Sequence, residues 1–523
     1  MDLNLHARPM AAADKFYTAD KTALSKYIDD TFKKVGKREI PGIVAVVAPH
    51  AGYVYSGRLA AQAFAPINQS YDIVVIMGTG HTHAIKGAAV LAEDDYETPL
   101  GIVETDRELA KKLIEKEPLF ENYPSAHQYE HAIEVQLPFL QRKLKKPFKL
   151  LAMTLNSAGE QEIKKMATVL AELLKGRKAL LVVSTDLSHY TDTENARYSD
   201  EAFAESIRTM DFSYIKQTES ALMSKGIQNL QTVACGITAL GLGLETAKIL
   251  GAKSFKIGEV SDSHREYTNA KSPGRVVGYM SGWFVKSGNP PSEKLNNKQK
   301  KFLLKEARRS IHDALFGKNT AEPVRDSRLN IPGAVFVTLN KDRQLRGCIG
   351  TLQAGMPLSD AVRNFALYAA FRDSRFSPLQ AEELDKIRIE ISVLSRLEKT
   401  AAEDIVPRKH GVVVQRNGRN GVFLPQVWEQ IPDKDSFMGE LCQQKAGLPR
   451  DCWQMPGTDI FTFTVESFEE GERDLRDTTV RQPKTEKKQK EENNQTKNRK
   501  KESGKTEIPR MKTNNSKRKN SSR

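Results

Sequence analysis

IVAVVAPHAGYVYSG (Ile43 to Gly57) opens with an unbroken apolar run, mostly β-branched, that ends abruptly at Pro49 and His50. A run that offers water no polar face reads as a central strand of a sheet covered on both sides. DIVVIMG (Asp72 to Gly78), AAVLA (Ala88 to Ala92), LLAMTL (Leu150 to Leu155), ALLVVS (Ala179 to Ser184) and RVVGYM (Arg275 to Met280) repeat the pattern. Between them, DRELAKKLIEKE and ITALGLGLETAKIL space apolar residues three and four apart, as helices do. This alternation specifies an α/β domain over residues 1–286.

SGNPPSEKLNNKQK (Ser287 to Lys300) breaks both periods with Gly, Pro and polar residues and marks a linker over residues 287–300. Residues 301–470 then read as a smaller α+β domain. It holds a helix (KKFLLKEARRSIHDALFG), strand-like AVFVTL, IRIEISVL, GVVVQ, GVFLP and FTFTVESF, and a helix around Asp360 to Phe371. Residues 471–523 contain no aromatic residue and 18 Lys and Arg against 8 Asp and Glu, so they account for +10 of the total charge of +14. The preceding 470 residues carry only +4. Such a tail cannot offset its ordering entropy by burial, and disorder is expected. It suits weak, non-specific phosphate contact with nucleic acid, without the aromatic residues that base stacking needs.

At 523 residues, 39% apolar and 28% charged, the chain is no disulfide-stapled miniature. Its four cysteines, Cys235, Cys348, Cys442 and Cys452, form no CxxC pair. That argues against a disulfide framework or a zinc knuckle and for a reducing cytoplasm. No apolar stretch approaches the roughly 18 residues of a membrane-spanning helix, and MDLNLHARPM lacks the pattern of a secretory leader. Neither secretion nor membrane insertion is expected.

In an open α/β sheet, ligands bind beyond the carboxyl ends of the strands. There the sequence places His50, the segment Gly78-Thr79-Gly80-His81-Thr82-His83, and the segment Ser184-Thr185-Asp186-Leu187-Ser188-His189. Three strands thus each deliver a His or Asp to one rim. Imidazole suits iron, copper and zinc, and three protein ligands with an open position activate water, oxygen or substrate. Cys235, in VACGITALGLG, sits where a helix begins, and a helix N-terminus favours the thiolate that metals bind. Taken singly, a strand-end His is more often a hydrogen-bonded structural residue, and a lone Cys a small core residue. Three coincident placements favour a site. His127-Gln128-Tyr129-Glu130-His131 also matches H-x-x-E-H, the inverted zinc-protease pattern, which is short enough to arise by chance.

PHAGYVYSG (Pro49 to Gly57), the glycine-flanked His81, ETPLG (Glu97 to Gly101), EHAIEVQLPFLQ (Glu130 to Gln141), STDLSHY (Ser184 to Tyr190), ACG (Ala234 to Gly236) and RVVGY (Arg275 to Tyr279) together resemble the Memo family. The resemblance spans nearly all of residues 1–286 and implies the fold of the LigB-type, class III extradiol dioxygenases, which are non-haem iron enzymes. That fold is an α/β domain with a central mixed sheet. It also implies His50, His81 and Cys235 as metal ligands, with Asp186 and His189 beside them as proton donor and acceptor or as orienting groups. Asp186 and His189, three residues apart, share one face if a helical turn starts there. His131, Glu130 and Glu134 are further pocket candidates. Glu134 equally suits a structural pairing, and His83 competes with His81. Extradiol enzymes use two His and a carboxylate, so a thiolate third ligand speaks against ring cleavage and for a softer redox-active ion, iron or copper.

LRGCIGTLQ (Leu345 to Gln353), DSRFSPLQAEEL (Asp373 to Leu384), IEISVLS (Ile389 to Ser395) and GVFLPQVW (Gly421 to Trp428) resemble the AMMECR domain. Gly347 and Gly350 bracket Cys348, permitting tight backbone approach or positive φ, and Arg346 offers a bidentate anion grip. Cys348 is either a reactive thiol activated by Arg346 or part of a packed strand. Gly-Cys-Ile-Gly is poor core-strand material, which favours a small-ligand or partner site. Cys442 and Cys452 read as structural. The pairing of the two domains resembles the AmmeMemoRadiSam system, whose third member is a radical S-adenosylmethionine protein. No Cx3Cx2C cluster motif occurs here, so that partner is expected to be a separate chain.

Three functions compete. One is a metal-dependent oxidoreductase or dioxygenase-like enzyme acting with iron or copper on a small molecule or peptide. Another is a non-catalytic scaffold that binds a ligand or partner. The last is a zinc hydrolase built on His127 and His131.

Overall fold

In a computed structural model of the protein, which describes residues 7–267 and 273–471, the apolar runs of the first domain assemble into one eight-stranded mixed sheet. In chain order these are β1 (Ile43–Ala48), β2 (Ile73–Thr79), β3 (Ala88–Val90), β4 (Phe120–Asn122), β5 (Lys149–Leu155), β6 (Ala179–Ser184), β7 (Ser254–Asp262) and β8 (Gly278–Val285). Their order across the sheet is β4-β3-β5-β2-β6-β1-β8-β7. Val46, Val74, Ile76 and Val182 enter one core, beneath α1 (Lys21–Val35), α2 (Tyr53–Phe64) and α3 (Leu137–Lys143). Val47, Val75, Met77 and Val183 enter another, beneath α4 (Glu160–Leu174) and α5 (Ile237–Ile249). Burial on both faces is why these strands show no polar alternation. Strands β2, β6 and β1 are adjacent and parallel, so their carboxyl ends open on one rim.

The expected strand at Arg275 starts later, because Val276 and Val277 are taken up by backbone contacts to Thr191, Tyr190 and His189. Strands β4 and β7 escape sequence reading. One is only three residues long, and the other is an edge strand whose polar residues mask its period.

In the second domain, β9 (Ala334–Lys341), β10 (Gln344–Thr351), β11 (Ile387–Leu394) and β16 (Val465–Glu469) form one sheet in the order β10-β9-β11-β16. A second sheet holds β12 (Glu398–Lys399), β13 (Gly411–Arg416), β14 (Arg419–Phe423) and β15 (Asp459–Phe463), in the order β12-β15-β13-β14. FTFTVESF therefore splits between two sheets. Val335, Val337 and Leu339 face a core shared with α6 (Asn297–Phe316) and α7 (Leu358–Phe371). Helix α6 begins inside the expected linker, because Asn296 and Gln299 form a capping box. Polar residues that read as a linker are there the start signal of the helix.

The chain up to Glu469 forms one compact unit. Tyr214 donates its hydroxyl to the Pro332 carbonyl, Lys225 pairs with Asp360, and Arg396 pairs with Asp211 at 3.0 Å. Cys442 and Cys452 are joined by a disulfide and are fully buried. The expectation of a chain without disulfides fails here, since spacing rules do not register a chain that doubles back on itself. Among the described residues no helix is long and apolar enough to cross a membrane. From residue 472 onward, the tail expected to be disordered lies outside the described residues.

Candidate metal centre

Strands β1 and β2 end just before His50 and His81, and a loop before α3 supplies His131. These three histidines each offer one ring nitrogen within 4.8 Å of the others. The rings of His50 and His81 cross at 5.2 Å between centroids, His81 stacks on His131 at 4.5 Å, and Phe16 stacks on His131 at 4.2 Å. Cys235 comes in at the start of α5, its Sγ 3.3 Å from His50 Nε2. A Cβ on Gly236 would meet Thr185 at 2.7 Å, so glycine is what lets this turn press against the end of β6.

The hydrogen bonds determine which nitrogen each ring presents. Ser184 donates its hydroxyl to the Ala132 carbonyl at 2.6 Å and accepts from Gln136 Nε2 at 2.9 Å. Its oxygen lies 3.1 Å from His50 Nδ1 and, with its proton already committed, can only accept there. His50 Nδ1 therefore carries a hydrogen and Nε2 faces Cys235. Glu130 does the same for His81, accepting from Nδ1 at 2.9 Å and from the His81 amide at 2.5 Å. Such partners fix ring orientation in metal sites.

Charge follows the same arrangement. Burial alone would lower His50, but Cys235 and Asp186 raise it to about 9. His81 is likewise opposed by burial yet raised to about 10 by Cys235 and Glu130. Burial opposes ionisation of Cys235, and His50, His189 and His81 overcome it, holding the thiol well below its ordinary value. Burial, reinforced by the charge of His50, pushes His131 down to about 3. Against the effect of its burial, Glu130 is held at about 2, chiefly by His81.

The other expected residues sort as follows. Asp186 and His189 occupy an extended loop without the helical turn considered for them. Asp186 accepts the His50 amide at 2.8 Å, and its own amide donates to Cys235 Sγ at 3.3 Å. Burial pushes its carboxyl up, against the pull of His50. Glu134 is not a pocket residue. It binds Arg8 and Tyr17, each at 2.5 Å, and the amides of Ala11 and Ala12, which pins the N-terminal segment. His83 turns away to Thr82 and Tyr123.

The H-x-x-E-H pair is also separated. His127 is fully buried, with Nδ1 2.9 Å from the Tyr96 hydroxyl and Nε2 2.9 Å from the Ala89 carbonyl, while His131 joins the rim. No ring nitrogen of His127 is left for zinc. Ser184, Gln136 and Phe16 were not singled out from sequence. For Ser184 the available signal was a polar residue ending an otherwise apolar strand.

In the second domain, LRGCIG forms the edge strand β10. A Cβ on Gly347 would lie 2.2 Å from the Ala369 carbonyl, and one on Gly350 would strike the Phe336 ring at 2.4 Å. Close approach, not positive φ, requires both glycines. Arg346 grips an anion bidentately as expected, but the anion is the protein's own Glu383. It is therefore not the activator of Cys348. Half-buried Cys348 accepts from Thr338 at 3.2 Å, while its backbone amide and carbonyl bind Asp373 and Arg375.

Two imidazoles presenting Nε2 beside a thiol held well below its ordinary value, with a third imidazole adjoining, are a donor set suited to a borderline transition metal. Residues 8–283 match the Memo-like protein family, and residues 304–468 match AMMECR1. A MEMO1 family protein of Aquifex aeolicus is 37% identical over 281 residues, covering 54% of this chain and 100% of its own. One from Nitrosopumilus maritimus is 32% identical over 284 residues, covering 53% and 99%. A protein of Nanoarchaeum equitans is 39% identical over 178 residues, covering 32% and 98%. The crystal structure of an uncharacterized Pyrococcus horikoshii protein shares 36% identity, covers 34% of this chain and 93% of its own, and has a TM-score of 0.30.

Proposed function

The chain belongs to the Memo-like protein family and continues into an AMMECR1 domain, and on that premise we propose a metal-dependent oxidoreductase, dioxygenase-like in architecture, whose ion is iron or copper. The observation that carries this reading is the meeting of His50 Nε2 and Cys235 Sγ at 3.3 Å beside His81 and His131. Ligands bonded to one ion at roughly 2.0–2.3 Å sit about that far apart. We assign His50, His81 and Cys235 as ligands, with His131 adjoining.

Iron or copper in this set supplies electron transfer and Lewis acidity. The chain's own residues do the rest. Ser184 and Glu130 hold the two rings with Nε2 directed at the site. Asp186, with its raised carboxyl, and His189 hold or pass a proton at the rim. The His81 side chain is 32% exposed, which leaves an approach for a small molecule or peptide substrate. In a reducing cytoplasm Cys235 stays a free thiol, and full burial shields the Cys442–Cys452 bond from exchange.

Metal analysis of anaerobically purified protein tests the reading. Wild type retains iron or copper, and His50→Ala, His81→Ala and Cys235→Ala lose it. Zinc retained by all three variants would refute it. We also propose a radical S-adenosylmethionine protein as a separate partner, on the fusion of the two domains and the lack of a Cx3Cx2C motif in this chain. Failure of the two to co-purify or to depend on each other functionally would refute that partnership.

A further inference from the structure

The end of the sheet opposite the metal centre carries a second chemical signature. Three clefts of about 1040, 790 and 540 Å³ open there. They adjoin: Gly176 and Arg177 line the first and second, Gln69 and Ser70 the second and third, and Lys145 and Lys146 the first and third. The position follows from the strands, since Ile43, Ile73 and Lys149 begin β1, β2 and β5, and Lys286 follows the antiparallel β8.

Ten Lys and Arg line these clefts against five Asp and Glu, a balance of +5. The whole of residues 1–470 carries only +4, so the positive charge of the folded body is gathered at this rim. Arg177 is offset by Asp106 at 3.6 Å, and Arg38 lies over the Trp283 ring. Among the described residues, no carboxylate lies within ion-pair distance of Lys37, Lys145, Lys146, Lys175 or Lys178, all of them exposed. Collecting like charges in grooves with low-dielectric walls is unfavourable for folding and focuses an attractive field on an anion.

We propose that this rim binds single-stranded nucleic acid through its phosphates. A flexible polyanion passes from one adjoining groove to the next over their shared walls, whereas the plane of a bilayer meets only protruding points. The clefts offer little aromatic surface, only half-buried Phe148 and buried Tyr71, so binding reads the phosphate backbone and not the bases. The proposal is independent of the metal reading, because the two rims lie at opposite ends of the strands.

The test uses the full chain and fluorescence anisotropy with labelled 20-nucleotide RNA and DNA single strands of mixed sequence. Lys145→Glu/Lys178→Glu alters the rim. Lys294→Glu/Lys318→Glu makes the same charge change on exposed residues of the linker and the second domain. Both variants keep the basic tail, so any binding it contributes is common to all three proteins and only the rim distinguishes them. The rim variant is expected to bind at least tenfold more weakly, with the slope of log affinity against log salt reduced by about 1.4, from roughly 0.7 per phosphate contact. The control is expected to stay within twofold of wild type. Preference for RNA or for DNA identifies the natural strand. Absence of binding by wild type, or equal loss in both variants, would overturn the proposal. So would rim-dependent binding to vesicles of 30% phosphatidylserine in phosphatidylcholine without rim-dependent binding to either strand.

Discussion

Ser184 Oγ sits 3.1 Å from His50 Nδ1 with its own proton donated to the Ala132 carbonyl. One hydroxyl at the end of β6 thereby decides which face of an imidazole, one strand away, is offered to a metal. Ser184→Ala removes that constraint without opening a cavity of consequence. Metal affinity is expected to fall about 10- to 100-fold, the usual effect of losing such a partner, and stability by roughly 1–3 kcal/mol, because the buried Ala132 carbonyl loses its donor. Chelator competition measures it, and unaltered affinity would show that the tautomer is set elsewhere.

His127 makes an opposite prediction, about stability and not metal. Burial holds it down at about 4, against an unfolded value near 6.5. A depressed histidine means the unfolded chain takes up the proton first, so stability is complete above pH 6.5 and is lost as pH falls towards 4. The loss amounts to roughly 3 kcal/mol at 1.36 kcal/mol per pH unit. Denaturant melts between pH 7 and 4 should show a flatter profile for His127→Gln than for wild type, and metal content should be unaffected.

Asp373 and Arg375 satisfy the outward backbone groups of Cys348 on edge strand β10. The Arg375 guanidinium holds the Asp373 carboxyl well below the usual carboxylate range. Asp373→Ala bares the Cys348 edge amide, at a cost of roughly 1–3 kcal/mol, while the half-exposed Arg375 guanidinium turns to water. It also invites edge-to-edge pairing. Urea unfolding should register the first effect and sedimentation the second. A stable monomeric variant would indicate that Asp373 serves a ligand instead.

The Cys442–Cys452 bond closes a loop across a sequence separation of 10. Loop-closure entropy for that length corresponds to about 3 kcal/mol. A Cys442→Ala/Cys452→Ala protein should therefore unfold its second domain at lower urea while retaining metal in the first. Equal stability of the two forms would show that the thiols are reduced in the native protein.

The fold of the first domain was legible because burial on both faces writes itself into β1, β2 and β6 as unbroken apolar runs. His50 and His81 were legible as well, since parallel central strands send their carboxyl ends to one rim whatever the loops do. Strand β7 was not, because an edge strand half-exposed to water keeps no strict period. The split of FTFTVESF was invisible for a related reason: both halves alternate alike, and only their partners differ.

The sequence by itself determined the layered α/β plan, the second domain and the chemistry of the donors, because local periodicity and residue type are properties of short stretches. Only the tertiary structure decided that His131 belongs at the rim and His127 in the core, that Arg346 is spent on Glu383, and that unpaired lysines from distant segments converge on the far rim. Each of these depends on which groups meet across long chain separations, where a hydrogen-bond partner or the lack of one settles a side chain's role and no spacing rule reaches.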